Sequence, residues 1–242
     1  MEFEKTALEN ELKIRGIGYP GRGIVIGLTP DSKKYVQVYW IMGRSSNSRN
    51  RIFVREGDSV KTRAFDEKKM EDPSLIIYYP VRSCNNYHII TNGDQTDTIY
   101  NHLKNGGDFD GALSRREFEP DSPNYTPRIS GLVDLSAKTY SLSILKTINN
   151  DVSLSQKNFY YYFGGIPGFG HCIHTYKEDG NPLPSFEGEP FLLKLSGEIE
   201  SNAVFFWNIL NEENRISLLV KHIDAESGEI EMTIINKYSA PE

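Results

Sequence analysis

The sequence predicts an α+β fold in which two antiparallel sheets pack face to face with helices outside. Short strand-like segments recur at close spacing along the 242 residues, and helix-like segments fall between groups of them. No strand–helix–strand alternation and no internal repeat is visible. Aromatic residues make up 12% of the chain, with 14 Tyr and 12 Phe, which weights the segments toward sheet. One domain over 1–242 accommodates this length, and no linker rich in Pro, Gly or Ser interrupts it.

In chain order, a short helix over 4–13 precedes the glycine-rich stretch 16–23. A strand at 24–26, the turn Thr29-Pro30-Asp31-Ser32 and a strand at 35–42 read as a hairpin, because Pro presets φ and Asp bonds the backbone ahead. Strands follow at 51–54 and 59–65. The apolar run 75–79 predicts a buried strand with 87–91 as its partner. Thr96 or Asp97 then caps a helix carrying Ile99, Tyr100 and Leu103, stopped at Gly106-Gly107, and a second short helix holds Phe109, Ala112, Leu113 and Arg116. Strands are predicted at 129–135, 139–148, 158–163 and 172–176. Ser201 caps a helix through Leu210, and strands at 216–223 and 229–236 close the chain around Glu226-Ser227-Gly228.

The net charge of −6 argues against bulk binding to DNA or RNA, where a basic face must neutralise many phosphates. It leaves room for a single phosphate monoester, which needs only a local set of donors. No apolar run approaches the ~20 residues that span a bilayer, and the charged start MEFEKTALENELK lacks the apolar core of a signal peptide. Cys84 and Cys172 read as two reduced thiols rather than a disulfide scaffold. A cytoplasmic protein with no nucleic-acid or membrane partner is therefore expected. Self-association is left open.

Five segments carry candidate chemistry. Gly43-Arg44-Ser45-Ser46-Asn47-Ser48-Arg49-Asn50-Arg51 packs guanidinium, hydroxyl and amide groups after a strand, with no acid inside it to pair its arginines. Planar guanidinium forks match phosphate oxygens, so an anionic ligand is expected there. In Tyr19-Pro20-Gly21-Arg22-Gly23 the glycines allow the backbone close to a ligand, although taken alone the segment reads better as an ordinary turn feeding a strand. Asn92-Gly93-Asp94-Gln95-Thr96-Asp97-Thr98 enters a helix whose free N–H groups either meet a ligand or are simply capped. Three prolines stiffen the loop from Glu119 to Ile129, which holds Asp121, Asn124, Thr126 and Arg128. The glycine-rich stretch 164–170 lacks the Lys-Ser/Thr pair of a P-loop. His171 and His174 behind it fall on opposite sides of a strand, so no metal site is expected. One histidine near the site and one in the core is the preferred reading.

Together these segments resemble the archaeal-type IMP cyclohydrolase family and its bacterial relatives. The resemblance is carried by the segments 19–23, 43–51, 92–98, Pro123-Asn-Tyr-Thr-Pro-Arg-Ile129, Gly170-His-Cys-Ile-His-Thr-Tyr176 and Asn211-Glu-Glu-Asn-Arg215. It runs from about position 19 onward and leaves 1–18 as an unmatched N-terminal extension. It implies a four-layer αββα sandwich like that of the N-terminal-nucleophile hydrolases. The start Met1-Glu2-Phe3 carries no Cys, Ser or Thr nucleophile, so the fold is expected without that chemistry. The implied reaction is the last step of purine synthesis: 5-formamidoimidazole-4-carboxamide ribotide closes to inosine monophosphate and releases water, with no cofactor and no metal.

Residue type and the resemblance together assign roles. Arg44 and Arg51 bind the phosphate or steady the oxyanion, with Arg22 a secondary candidate. Asn124 and Arg128 read the base or its carboxamide. Tyr79, at the end of the expected buried strand, relays a proton if nearby arginines lower its pKa. Glu119 and Asp121 are the acid–base alternatives. Ser45, Arg49, Asn92, Asp94, Thr126 and His171 complete the expected substrate contacts. Two rivals remain: an amide hydrolase of the N-terminal-nucleophile type, which would expose an internal nucleophile by autoprocessing, and a non-catalytic purine-nucleotide-binding protein.

Overall fold

A computed structural model describes residues 2–70, 73 and 75–238. Met1, on which the expected lack of a terminal nucleophile bears, lies outside them. The chain runs as α1 (Glu2–Gly16), β1 (Gly23–Leu28), β2 (Lys34–Met42), α2 (Ser46–Arg49), β3 (Ile52–Glu56), β4 (Ser59–Arg63), β5 (Val81–Cys84), β6 (Tyr87–Thr91), α3 (Gln95–Lys104) and α4 (Phe109–Leu113). It continues as β7 (Arg128–Asp134), β8 (Thr139–Ile148), β9 (Asp151–Phe163), β10 (Phe169–His174), β11 (Phe191–Lys194), α5 (Ile199–Ile209), β12 (Arg215–Asp224) and β13 (Ile230–Asn236).

The fold is mixed α and β, with two antiparallel sheets and few helices. One sheet has six strands in the order β11-β10-β1-β2-β12-β13, and the other has seven in the order β3 through β9. Strand parity explains why β1 and β2 read as near-continuous apolar runs, with Gln37 the buried polar exception. In β1, Ile24, Ile26 and Leu28 face the opposite sheet, while Val25 faces the helix side. In β2, Tyr35, Tyr39 and Ile41 face inward, and Val36, Val38, Trp40 and Met42 face outward. Both faces are covered, so alternation disappears from the sequence.

Three clusters of buried side chains order the elements. The first joins the outer face of the six-stranded sheet to Ile14 of α1 and to Ala203, Phe206 and Ile209 of α5. The second lies between the sheets and joins Ile24, Ile26 and Leu219 to Val81, Ile90, Val133 and Leu142. The third joins Ile89, Leu132 and Leu145 to Ile99 and Leu103 of α3 and to Leu113 of α4. The helix at the start of the chain is part of this packing: Asn10 Nδ2 donates to Leu192 O at 3.0 Å, and Arg15 Nη1 donates to Asn208 O at 2.9 Å. Among the described residues, no helix is long and apolar enough to cross a membrane.

The structure corrects several boundaries. The run 75–79 is not a strand but a half-buried turn, with Ile76 and Tyr78 turned inward. Tyr78 N donates to Thr62 Oγ1 at 2.8 Å, and that hydroxyl donates in turn to Ile76 O at 2.7 Å. The partner of β6 on that side is instead β5, which the sequence does not announce. Helix α3 takes Asp94 as its N-cap residue, without a side-chain cap bond, rather than Thr96 or Asp97. Strand β9 begins at Asp151 rather than 158, and β11 was unforeseen.

Close approach between β1 and β10 requires glycine at position 27, where an added Cβ would sit 2.1 Å from Phe169 O. Gly27→Ala is expected to destabilise the fold by about 1–3 kcal/mol or more, because rigid backbone cannot yield as a flexible side chain can. A urea midpoint equal to wild type would show that the ladder has slack.

Candidate functional site

The strand ends that hold Arg22, Met42 and Arg128 converge on a buried polar cluster. Arg22 precedes β1 in the parity that faces the opposing sheet. Arg51 follows the short helix α2 and is fully buried: its Nε donates to Ser48 O at 2.9 Å and its Nη2 to Met42 O at 3.3 Å. Both acceptors are carbonyls, so the charge itself has no bonded counterion. Burial pulls the Arg51 pKa downward, and the neighbouring Arg22 adds to that pull.

Glu119 enters the cluster from the proline-stiffened loop. Its carboxylate lies 3.9 Å from Arg22 Nη2, and the residue is only 1% exposed. Burial pushes its pKa up to about 7, against the opposing pull of Arg22 and Arg128, while Asp121 adds to the rise. Tyr39 and Tyr78 share a hydrogen bond of 2.7 Å, and burial raises both phenol pKa values, so both stay protonated. Thr126 Oγ1 bonds both Tyr176 Oη and Asp121. Within this buried set Arg22 Nε, Arg51 Nη1 and Glu119 Oε2 have no hydrogen-bond partner. Buried polar atoms ordinarily have a partner, so these three are points where a ligand atom or a water would bond.

Of the residues singled out from sequence, Arg22, Arg51, Glu119 and Thr126 therefore come together. Arg128 flanks them, donating to Asp94 at 2.6 Å and to Gln95 Oε1 at 2.8 Å, and Arg116 bonds the same Asp94. Arg44 stands outside at the surface. It bridges Asp179, donates to Gly180 O at 3.0 Å and lies 4.9 Å above the Tyr19 ring. Tyr19 in turn stacks on Tyr176.

Other expectations need correction. The arginines of 43–51 do not gather on one ligand: Arg44 finds Asp179, and Arg49 finds Glu213 at 3.4 Å. Sequence distance hid those acids. Ser45 is the N-cap of α2 in a capping box with Ser48, so its hydroxyl serves the helix. Asn92 commits its amide to Pro127 O, Ile129 N and Gln95 Nε2, each at 2.9 Å. Asn124 Oδ1 accepts from Leu183 N at 3.1 Å. His171 belongs to an aromatic stack, with Tyr162 at 3.8 Å and Tyr140 Oη 2.6 Å from its Nδ1, three residues along β10 from the end nearest Arg22. Tyr79 donates to Glu56 at 2.9 Å, which raises its pKa; the expected lowering by arginines does not occur. Its neighbour Tyr78 occupies the cluster instead. Tyr39, Tyr78 and Tyr176 were missed, although the inward parity of Tyr39 in 35–42 was a usable signal.

Residues 19–227 match the family described as IMP cyclohydrolase-like protein, and the chain belongs to that family. Helix α1 lies outside the matched span. The chain is also similar to an IMP cyclohydrolase of Methanothrix thermoacetophila, 30% identical over 121 residues. That alignment covers 48% of this chain and 57% of the relative, so it spans little more than half of the relative's length.

The Glu119 shift has a measurable sign. A carboxyl whose folded pKa of about 7 exceeds its ordinary value of 4.5 contributes stability below pH 4.5 that is lost as pH rises through 7. Glu119→Gln should therefore gain thermal stability relative to wild type between pH 5 and pH 8. A gap that stays flat or reverses would place the carboxyl in a charge-stabilising environment.

Proposed function

We propose that the protein is an IMP cyclohydrolase that closes 5-formamidoimidazole-4-carboxamide ribotide to inosine monophosphate. On this reading the sheets and their flanking helices form the four-layer αββα sandwich of the N-terminal-nucleophile hydrolases. The observation that carries the proposal is the buried set of Arg22, Arg51 and Glu119, each with an unpartnered polar atom. Two guanidiniums beside one carboxyl with an elevated pKa suit a reaction that develops oxyanion charge while moving protons.

Ring closure is intramolecular. The carboxamide nitrogen bonds to the formyl carbon, and the formyl oxygen departs as water. One proton comes from the attacking nitrogen and one from the formamide nitrogen, and both end on that water. Holding the two groups at contact distance supplies much of the acceleration, since effective molarities reach ~10⁵ M or more. Arg22 and Arg51 stabilise charge on the formyl oxygen, where loss of one donor typically costs ~10²-fold or more. Ionised Glu119 takes the proton from the attacking nitrogen and returns it to the departing hydroxyl. The Tyr39–Tyr78 pair, neutral and hydrogen-bonded, is a route for the second proton. Arg44, held at the surface by Asp179, Gly180 O and the Tyr19 ring, exchanges the exposed Asp179 carboxylate for the ribotide phosphate.

The direct test adds the formamido ribotide to purified protein and follows product by ultraviolet absorbance, with inosine monophosphate binding measured in parallel. Binding without turnover would leave a nucleotide-binding protein, and neither would end the reading. Wild-type kcat/KM should fall as pH drops below about 7. Glu119→Gln should lower kcat about 10²–10⁴-fold and abolish that limb. Arg44→Ala should instead raise KM roughly tenfold with a smaller change in kcat, the pattern of lost uniform binding; an unchanged KM would remove Arg44 from substrate contact.

A further inference from the structure

A second polar cluster lies toward the other ends of the same strands. Lys221 of β12 stands between Leu219 and Ile223 in the parity that faces the space between the sheets, and it is fully buried. Its Nζ lies 3.0 Å from Ser83 Oγ and 3.1 Å from His88 Nδ1. Ser83 Oγ and His88 Nδ1 are 3.1 Å apart, because the β5–β6 register sets these residues opposite one another. The bonded partners of the amine are therefore both uncharged. Burial pulls the Lys221 pKa down to about 7, with Asp58 opposing, and pulls His88 down to about 3. Ser83 and His88 line a cleft of about 430 Å³ whose wall also carries Asp58, Cys84 and Glu226. His88 is 3% exposed, and its Nε2 has no partner. None of the lining residues belongs to the Arg22–Glu119 cluster.

We infer that this cleft is a separate esterase-type site, in which Ser83 is the nucleophile and Lys221 its general base, acting on a small neutral or cationic acyl ester. A desolvated lysine against a serine hydroxyl is a known variant of the nucleophile–base pair. The neutral amine accepts the Ser83 proton as Oγ bonds to the acyl carbon. The ammonium returns that proton to the alcohol oxygen as the ester C–O bond breaks. Water then repeats the sequence: it gives a proton to Lys221, bonds to the acyl carbon and releases Ser83, which recovers the proton. The His88 Nδ1 atom accepts from the amine and so reserves the Nζ lone pair for Ser83. The His88 proton then sits on Nε2, which is buried and without a partner. Asp58 and Glu226 disfavour anionic esters. Cys84 is not the nucleophile, because burial pushes its thiol pKa up.

The test uses the full chain with a small uncharged fluorophosphonate, intact mass and peptide mapping, and p-nitrophenyl acetate as a turnover probe. One adduct on Ser83 is expected, together with ester turnover. Ser83→Ala should lose both while closing the formamido ribotide at the wild-type rate, so this inference and the cyclohydrolase reading fail separately. Lys221→Met should slow labelling about 100-fold or more. No adduct, an adduct on Cys84 or elsewhere, or wild-type labelling in a folded Lys221→Met protein would overturn the inference. Ser83→Ala removes one half-buried oxygen and decides the question even if Lys221→Met does not fold.

Discussion

Burying two guanidiniums and one carboxyl between two sheets is the constraint that organises the rest of the molecule. Ions removed from water are tolerable only where the surroundings hold them in place and answer their charge. Here backbone carbonyls do much of that work. Met42 ends β2 and Ser48 lies in α2, and both turn oxygens onto Arg51. The capping box of Ser45 and Ser48 fixes the tiny helix that presents one of those oxygens. Glu119 is held by the loop backbone, its N–H donating to Thr126 O at 2.8 Å. The carboxyl answers burial by favouring its neutral form, so the cluster can hold or release a proton near neutral pH.

Much of the fold was legible because inward and outward parity leaves a mark on composition. The first hairpin, the strand at 139–148 and the closing hairpin were readable as apolar runs bounded by turn residues. The run 75–79 was misread for a physical reason: burial and hydrogen bonding both occur there without a ladder, since Thr62 serves its backbone from the side. Periodicity reports burial, not the identity of the hydrogen-bond partner. The first half of β9 carries the opposite problem. Val152 and Leu154 alternate with polar residues there but both are exposed, so the segment buries no face against the core that would set it apart from a polar loop.

The site was legible in part for the same kind of reason. Absence of local acids leaves Arg51 with only carbonyl partners, whereas Arg44 and Arg49 find acids that arrive from residues 179 and 213. Asn92 looked like a ligand contact because its amide is polar and sits before a helix; three backbone and side-chain bonds already occupy it. Tyr79 rather than Tyr78 stands out in the sequence because it would end a strand, whereas the chain turns there and sends Tyr78 inward. The tyrosines that do line the cluster come from separate elements, a convergence that no window of sequence displays.

Gly27 also has a bearing on folding fidelity. Residues 24, 26 and 28 face the opposing sheet, and Arg22 continues that parity. A slip of one position between β1 and β10 would turn every one of these side chains around and aim the guanidinium at the helices. Only one alignment brings the bare glycine against Phe169 O; in the neighbouring ones Ile26 or Leu28 would have to fit that gap. A missing methyl group thus acts as a register check on the one pairing that turns the Arg22 guanidinium inward.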